Sequence, residues 1–361
     1  MANIDVFFKF MVEQKASDLH MSVSAPPILR IHGDMIPMKF QTLTDEYLRG
    51  LLYEIMSEGH RARFEKTGDV DFGYEVPGVG RFRANVFKDR NGVGAVFRLI
   101  PSEVLSAGKL GLPEAILKLA DNKNGLVLVT GPTGSGKSTT LAAMIDHINA
   151  TRREHIITVE DPIEFVHKNK LSLINQREVE SHTRSFTTAL KAALREDPDV
   201  ILVGELRDLT TIELAVTAAE TGHLVFGTLH TNSAPKTLDR LIKVFPEGQQ
   251  EQIRTMLSES LRGVVAQALL KRSDRPGRVA AFEIMVVTPA IANLIREAKT
   301  YQIKSVIQTG KQYGMRTMDQ SLIELVMQRI VTPEAALPYA EDRKSFIAAT
   351  GERKSSPRQA L

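Results

Sequence analysis

Apolar residues recur along the chain with two different spacings. Near the N-terminus they recur three or four residues apart, on one face of a helix: Ile4, Phe7, Phe8, Met11 and Val12. This spacing predicts a helix that packs one face against a core, with a membrane-surface helix as the alternative. Residues 81–86 alternate apolar and polar side chains instead, which is typical of a strand with one buried face.

A second strand is predicted over residues 94–100, directly after the pair Asn91-Gly92. An Asn-Gly pair favours a tight hairpin turn, so the two strands are expected to be antiparallel neighbours. Residues 1–100 therefore read as a small α+β domain with an antiparallel sheet. Gly and Pro residues are frequent in the following stretch, 101–113, which we interpret as a linker.

The pattern changes after the linker. Four short and nearly continuous apolar runs follow, separated by helix-length segments: 125–130, 155–160, 199–203 and 223–228. Such runs are typical of a parallel sheet covered on both faces. Ligands of such sheets bind beyond the carboxyl ends of the strands, so the polar residues that follow these runs are candidates for one site. Beyond residue 240 we expect mostly helices, and from about residue 341 a flexible charged tail.

Composition narrows the classes of protein. The chain has 361 residues, which suggests about two domains. Lys and Arg number 46 against 43 Asp and Glu, and this balance argues against a protein that mainly coats nucleic acid. The absence of Cys excludes disulfides, thiolate zinc sites and cysteine nucleophiles. With no long apolar run and no basic start of a signal peptide, we expect a cytoplasmic protein.

The strongest chemical signal is the sequence Gly-Pro-Thr-Gly-Ser-Gly-Lys-Ser at 131–138, which fits the phosphate-loop pattern G-x-x-x-x-G-K-[ST]. It lies between a predicted strand and a predicted helix, so loop and helix N–H groups would surround phosphate oxygens. Lys137 is expected to reach the β- and γ-phosphates of ATP, and Ser138 to ligate Mg²⁺. The residues assigned to ATP binding are Gly131, Thr133, Gly134, Ser135, Gly136, Lys137, Ser138 and Thr139. A flexible glycine loop is the alternative.

Two acidic positions follow other strands of the predicted sheet. The run that ends at Glu205 resembles a Walker B strand, with Gly204 where Asp is usual. Glu205 is then the carboxylate near metal and water, either as general base or as holder of the Mg²⁺ shell. Three carboxylates within 160–164 repel one another unless a cation compensates, so Glu160 and Glu164 are assigned to orienting water or Mg²⁺. A solvated acidic turn is the alternative.

Histidine and arginine complete the set of candidates. His230 follows the fourth apolar run and is a candidate to sense or stabilise the γ-phosphate, whereas His223 begins the same strand and lies at its other end. Arg81, Arg83 and Arg98 lie on neighbouring predicted strands and are candidates for an arginine finger. A solvated sheet face is the alternative for these three.

With these motifs, and with Ala-Ser-Asp-Leu-His at 16–20, the chain resembles the PilT-like retraction ATPases of bacterial type IV pili, within the type II/IV secretion ATPase superfamily. Residues 160–164 look like the aspartate box of that family, and residues 222–232 look like its histidine box. The arginines named above match those of the family's N-terminal PAS-like domain. The resemblance implies a RecA-like P-loop ATPase domain over 114–361, preceded by a PAS-like domain over 1–100 and a hinge at 101–113.

The resemblance also implies an activity and partners. They are Mg²⁺-dependent hydrolysis of ATP by a homohexamer, and retraction of the pilus through an inner-membrane platform protein. A PilU-like paralogue is a further implied partner, and no nucleic acid is expected. The ring would be cytoplasmic and associate peripherally with the membrane through these partners.

Related classes differ from this chain in identifiable features. Residues 290–297 are similar to the retraction motif A-I-R-N-L-I-R-E, with Ala292 in place of its first Arg, and this favours a PilT-like over a PilU-like role. Pilus extension ATPases usually carry an extra N-terminal domain and a four-cysteine zinc motif, and this chain has no Cys. A nucleic-acid motor and a scaffold that binds ATP without turnover are the alternatives of a different class.

Overall fold

The computed structural model describes residues 2–31, 33–100 and 104–351. Residues 101–103 of the predicted linker and 352–361 of the predicted tail lie outside them. Across the described residues, none of the helices combines the length and the apolar character that a membrane span requires. The chain forms two compact units, the first of which contains the chain up to Val104 together with Glu160–His167 and Gln176–Ser185. The sequence assigned both later segments to the ATPase region.

The first unit contains an antiparallel sheet of six strands in the order β3-β2-β1-β6-β5-β4. Its strands are β1 (Asp18–Ser22), β2 (Ile28–Ile31), β3 (Asp34–Pro37), β4 (Asp69–Val76), β5 (Gly80–Asp89) and β6 (Gly92–Ile100), and its helices are α1 (Asp5–Glu13), α2 (Asp45–Ile55) and α3 (Glu58–Thr67). Helix α1 buries Phe7, Phe8 and Met11, as its apolar spacing predicts. Strands β5 and β6 form the predicted hairpin.

The second sheet has seven strands in the order β13-β12-β7-β11-β10-β8-β9. They are β7 (Gly125–Thr130), β8 (His155–Glu160), β9 (Leu173–Glu178), β10 (Val200–Val203), β11 (Leu224–Leu229), β12 (Leu261–Lys271) and β13 (Arg278–Val286). The four predicted apolar strands pair in parallel, with β11 between β7 and β10, and with β8 beyond β10. The prediction of a parallel sheet is therefore confirmed.

Side chains of the second sheet divide between two hydrophobic clusters. Along β7, Leu126 and Leu128 belong to one cluster, whereas Val127 and Val129 belong to the other. Because neighbouring residues of a strand point to opposite faces, this division means that both faces are covered. The helices from the linker onward are α4 (Ala107–Leu110), α5 (Glu114–Ala120), α6 (Lys137–Thr151), α7 (Phe186–Ala193), α8 (Leu209–Glu220), α9 (Ala234–Lys243), α10 (Gln250–Ser260), α11 (Pro289–Arg296), α12 (Ile303–Thr309), α13 (Met318–Met327), α14 (Pro333–Ala336) and α15 (Arg343–Thr350).

Of two predictions for the C-terminal third, one is incomplete and the other is wrong. The region beyond residue 240 is mostly helical, as predicted, but β12 and β13 form an unpredicted long antiparallel hairpin that extends the sheet beyond β7. Strand β12 is buried on both faces, so it lacks the alternation that identifies a strand. The predicted flexible tail contains helix α15, whose Phe346 is buried in a cluster with Met318 and Leu322.

Helix α11 contains most of the segment that is similar to the retraction motif. Ile291 and Ile295 are buried, whereas Asn293 and Arg296 are exposed, as the amphipathic pattern predicts. The Arg296 guanidinium donates a hydrogen bond to Ser258 Oγ at 3.1 Å, which ties α11 to α10. Ala292 is half-buried.

Candidate active site

The phosphate loop connects β7 to α6, as its motif predicts. Gly131, Gly134 and Gly136 all have positive φ angles, of 145°, 79° and 89°, a region that disfavours residues with a Cβ. A Cβ at Gly131 would also lie 2.4 Å from the backbone oxygen of Gln267. The Lys137 ammonium donates to the carbonyl oxygens of Gly131 at 2.9 Å and Pro132 at 3.2 Å. Its positive charge is therefore held at the loop.

A buried amide that the sequence did not reveal supports this loop. Gln267 on β12 is 4% exposed. Its Nε2 donates to the Ser135 carbonyl oxygen at 2.7 Å, and its Oε1 accepts from Thr140 Oγ1 at 2.7 Å. One side chain thus joins the loop to the first turn of α6. No local signal marks Gln267, because it lies more than a hundred residues away in a strand that the periodicity missed.

Two hydroxyl oxygens at the loop lack partners in the described structure. They are Thr130 Oγ1, at the end of β7, and Ser135 Oγ, within the loop. Both residues are buried. Buried polar atoms without a partner are uncommon in folded proteins, and at binding sites a ligand satisfies them. The two hydroxyls, the glycine conformations and the lysine fit a polyphosphate.

Glu205 follows β10 and lies beside two cationic or titratable side chains. Its carboxylate is 2.8 Å from the Arg207 guanidinium and 3.2 Å from His230 Nε2. Burial alone would raise the pKa of Glu205, but the hydrogen bond and charge of Arg207 outweigh it, and His230 adds to this. The pKa of Glu205 is thus held below its ordinary value, and the carboxylate is ionised at neutral pH.

The positions of the two histidines follow from the direction of β11. His230 comes directly after the strand, at the edge that also carries the phosphate loop and Glu205, because β7, β11 and β10 are parallel neighbours. His223 precedes the strand, and its Nδ1 is 2.9 Å from the Ala218 carbonyl oxygen. The structure thus brings His230 together with Glu205 and leaves His223 at the other end of β11.

The acidic segment belongs to the first unit. Glu160 ends β8, and its side chain accepts a hydrogen bond from Gln176 Nε2 at 3.2 Å. Glu164 is half-buried, and Asp161 is exposed.

Glu178, which the sequence did not single out, anchors this segment. Its carboxylate is 2% exposed and pairs with Arg81. It also accepts from the backbone N–H groups of Ile163 at 3.1 Å and Gly73 at 3.2 Å, and from Ser181 Oγ at 2.9 Å. Burial would raise the pKa of Glu178, but the charge of Arg81 and these hydrogen bonds lower it below its ordinary value.

The three candidate arginines all pair with carboxylates of the first unit. Arg81 is bound to Glu178 with only 16% of its side chain exposed, so the structure favours an anchoring role over that of a finger. Arg83 and Arg98 are direct cross-strand partners in β5 and β6. Arg83 lies 3.7 Å from Asp71, and Arg98 lies 2.8 Å from Asp18. Both keep substantial exposure.

A cavity of about 790 Å³ opens beside the start of α6. Gly136, Thr139, Thr140 and Gln267 line it near the phosphate loop. Four arginines also contribute to its wall: Arg272, Arg275, Arg278 and Arg316. The second unit therefore offers space next to the loop for the remainder of a nucleotide.

Comparison with known proteins agrees with this arrangement. Over 95% of its length the chain is 53% identical to the whole of the type IV pilus retraction ATPase PilT of Pseudomonas aeruginosa. It is 40% identical to the type IV pilus ATPase PilU of the same organism, over 92% of this chain and 87% of that one. A crystal structure of the pilus retraction motor PilT with bound ADP superposes with a TM-score of 0.88, at 51% identity, over 96% of this chain and 98% of that one.

The family comparison covers the same region as the candidate site. Residues 80–341 match the family described as type II/IV secretion system protein. The resemblance inferred from the motifs is confirmed, as is the predicted fold class. The chain therefore belongs to the type II/IV secretion system protein family, and it is an ATPase of that family.

Proposed function

We propose that this protein is a hexameric, ATP-driven motor that powers the retraction of type IV pili. One observation carries the proposal: the phosphate loop, Glu205 and His230 follow three neighbouring parallel strands, in a chain that is 53% identical to a retraction ATPase. The PilT structure with bound ADP supports the nucleotide assignment.

ATP would bind with its phosphates in the loop at 131–138 and its nucleoside toward the adjoining cavity. Lys137 would move from the loop carbonyl oxygens to the β- and γ-phosphates, since a phosphate oxygen is a stronger acceptor for an ammonium group. Loop N–H groups and the N-terminus of α6 would stabilise the negative charge. The Ser135 hydroxyl, which has no partner in the described structure, would donate to a phosphate oxygen.

The described residues contain no cluster of three or more His, Asp or Glu that would hold a metal without the nucleotide. The oxygen donors near the loop, Ser138 and Glu205, fit Mg²⁺, which usually keeps several waters and binds through one or two protein groups together with phosphates. Ser138 would hold the ion directly and Glu205 through water. When bound, Mg²⁺ supplies positive charge that offsets the charge developing on the phosphate oxygens.

Glu205 is proposed to orient the attacking water. A carboxylate with a lowered pKa is a weak proton acceptor, so orientation through a hydrogen bond suits it better than full proton removal. His230 Nε2 would help to fix this carboxylate and face the γ-phosphate. Glu160 and Glu164 remain proposed as further groups that orient water or Mg²⁺.

A hexameric motor would also need arginine fingers, a hinge and partner proteins. In a hexamer, Arg83 and Arg98 are proposed to act as arginine fingers, and linker residues 101–113 as a hinge between a PAS-like and a RecA-like domain. The partner is proposed to be a pilus platform protein in the inner membrane, which would hold the ring at the cytoplasmic surface. A PilU-like paralogue is proposed as a second partner, and nucleic acid is not.

Phosphate release from Mg²⁺-ATP by the purified protein tests the enzymatic part. We expect turnover above that of a Glu205→Gln control, which keeps the size of the side chain and removes its charge. A rate equal to that of the control would favour a scaffold that binds nucleotide without hydrolysing it.

A further inference from the structure

We propose that Glu283 is a positioning residue for ATP hydrolysis, because its buried carboxylate holds the helix that follows the His230 loop. This inference rests on the proposed function in one respect, namely that His230 takes part in turnover. The sequence motifs do not include Glu283, which lies on β13, an edge strand of the second sheet.

The first contact is with the start of α9. Glu283 is 1% exposed, and its Oε1 accepts a hydrogen bond from the backbone N–H of Ala234 at 2.7 Å. Ala234 is the first residue of α9, whose N-cap residue Ser233 makes no side-chain capping bond. Pro235 has no N–H to offer. Glu283 therefore provides the acceptor that a capping side chain usually provides.

The second contact is with the start of α13. The backbone N–H of Met318, the first residue of that helix, also faces the Glu283 carboxylate and opposes the rise of its pKa. A backbone bridge between Ile284 and Arg316, with N···O distances of 2.9 and 3.1 Å, fixes the strand beside this helix. One buried carboxylate thus meets the N-termini of two helices, where their dipoles favour a negative charge.

Local hydrogen bonds connect α9 to the loop at 230–233, which begins with His230. Thr231 Oγ1 lies 2.7 Å from Thr237 Oγ1, and the Thr237 hydroxyl donates to the Ser233 carbonyl oxygen at 2.7 Å. The loop and the first turn of α9 are therefore one hydrogen-bonded piece. His230, at the other end of the loop, lies 3.2 Å from Glu205. A shift of Ala234 would displace the imidazole from that carboxylate.

Burial and neighbouring charges shift the pKa of Glu283 toward neutral pH. Burial raises its pKa to about 7; the backbone N–H of Ala234 opposes the rise, the charge of Glu341 adds to it, and Met318 and Lys304 oppose it. Lys304 is itself paired with Glu341 at 2.6 Å. The charge of Asp319 on α13 acts on Lys304 as well, and Lys236 of α9 lines the same cavity as Lys304 and Glu341.

Replacing Glu283 by Gln tests the inference, because the amide keeps one acceptor oxygen but turns a donor group toward the second N–H. We expect kcat for ATP at pH 8, where the Glu283 carboxylate is mostly ionised, to fall about tenfold, the effect of one weakened charge-assisted hydrogen bond, with little change in KM. In a His230→Ala background the same substitution is expected to change kcat by less than about twofold, since residues that act as one unit are not additive. Glu334→Gln, an exposed change on α14, is the matched control and keeps wild-type kcat.

An equal loss of kcat in both backgrounds would overturn the inference, because Glu283 would then act without His230. Wild-type turnover in His230→Ala would overturn it as well. If the wild-type protein shows no turnover at all, only the proposed function fails, and amide hydrogen exchange then decides. Faster exchange at 230–234 in Glu283→Gln, but not in Glu334→Gln, supports the inference, whereas unchanged exchange contradicts it.

Discussion

The phosphate loop of the second unit and the arginines on β5 and β6 of the first unit differ in the groups that hold them in place. The loop is braced by Gln267, a neutral amide, and the Lys137 ammonium donates to carbonyl oxygens of the loop itself. In the first unit Arg81 is bound to the buried Glu178, and Arg83 and Arg98 each lie beside a carboxylate.

This difference separates two uses of charged residues. A lysine held by carbonyl oxygens can exchange them for a phosphate without leaving a charge uncompensated. Arg81, which is itself enclosed, cannot leave the buried Glu178 without a large cost in free energy, because that carboxylate would stay buried without its cation. A charged residue is therefore a weak candidate for ligand binding where, as for Arg81, it is itself enclosed and a buried partner neutralises it.

The largest effect is expected at the loop itself. Lys137→Ala should reduce ATP turnover at least about a thousandfold, because the cation that offsets phosphate charge is lost. The fold should persist, since Lys137 is only half-buried. Phosphate release and circular dichroism measure the two outcomes. Lys123→Ala, an exposed change before β7, is the control, and wild-type turnover in Lys137→Ala would remove the loop from the account.

The opposite result is expected for Arg81. Arg81→Ala should lower the free energy of unfolding by about 3–5 kcal/mol, because Glu178 would remain buried without its cation. Arg83→Ala should cost at most about 1 kcal/mol, since its ion pair is exposed. Denaturant unfolding of both variants checks the contrast. Equal losses of stability would mean that the buried and the exposed pair do not differ as the structure indicates.

Gln267→Leu tests whether the neutral brace matters. The substitution conserves volume but leaves the Ser135 carbonyl and the Thr140 hydroxyl without a partner. We expect the affinity for ATP to fall about 10- to 100-fold, from about 1–3 kcal/mol of lost support. Nucleotide titration measures it, with the exposed Gln249→Leu as control. An unchanged affinity would show that the loop holds its conformation without this amide.

A pH-dependent effect is expected at Glu283, the buried carboxylate of the second unit. Its pKa is raised from 4.5 to about 7. The folded protein therefore favours the protonated form of Glu283. The contribution of this form to the free energy of unfolding is fully present below about pH 4.5 and is lost as pH rises through 7. Between pH 5 and 8, wild type should lose up to about 3 kcal/mol of unfolding free energy relative to Glu283→Gln. Denaturant unfolding at several pH values measures this difference, and parallel pH curves for the two proteins would contradict it.

The features that sequence predicted well are local. The phosphate loop is recognised from a motif of eight residues, and the strands of its sheet are short apolar runs with polar residues at their ends. Their parallel pairing and the convergence of Glu205 and His230 follow from general rules for such sheets. This part of the site needed no knowledge of distant contacts.

The features that sequence missed depend on contacts between distant segments. Gln267 and Glu283 lie on β12 and β13, whose burial on both faces erases the strand pattern. Glu178 meets Arg81 across 97 positions of the chain, and nothing near either residue indicates the other. The same reason explains why residues 160–167 and 176–185 cluster with the first unit.

The central claim is that ATP turnover at this loop powers pilus retraction. The most direct measurement is retraction of pili in cells that lack the gene, complemented either by the wild-type protein or by Lys137→Ala at equal abundance. We expect the wild-type protein to restore retraction, whereas Lys137→Ala should leave the pili extended. Retraction restored equally by both proteins would contradict it.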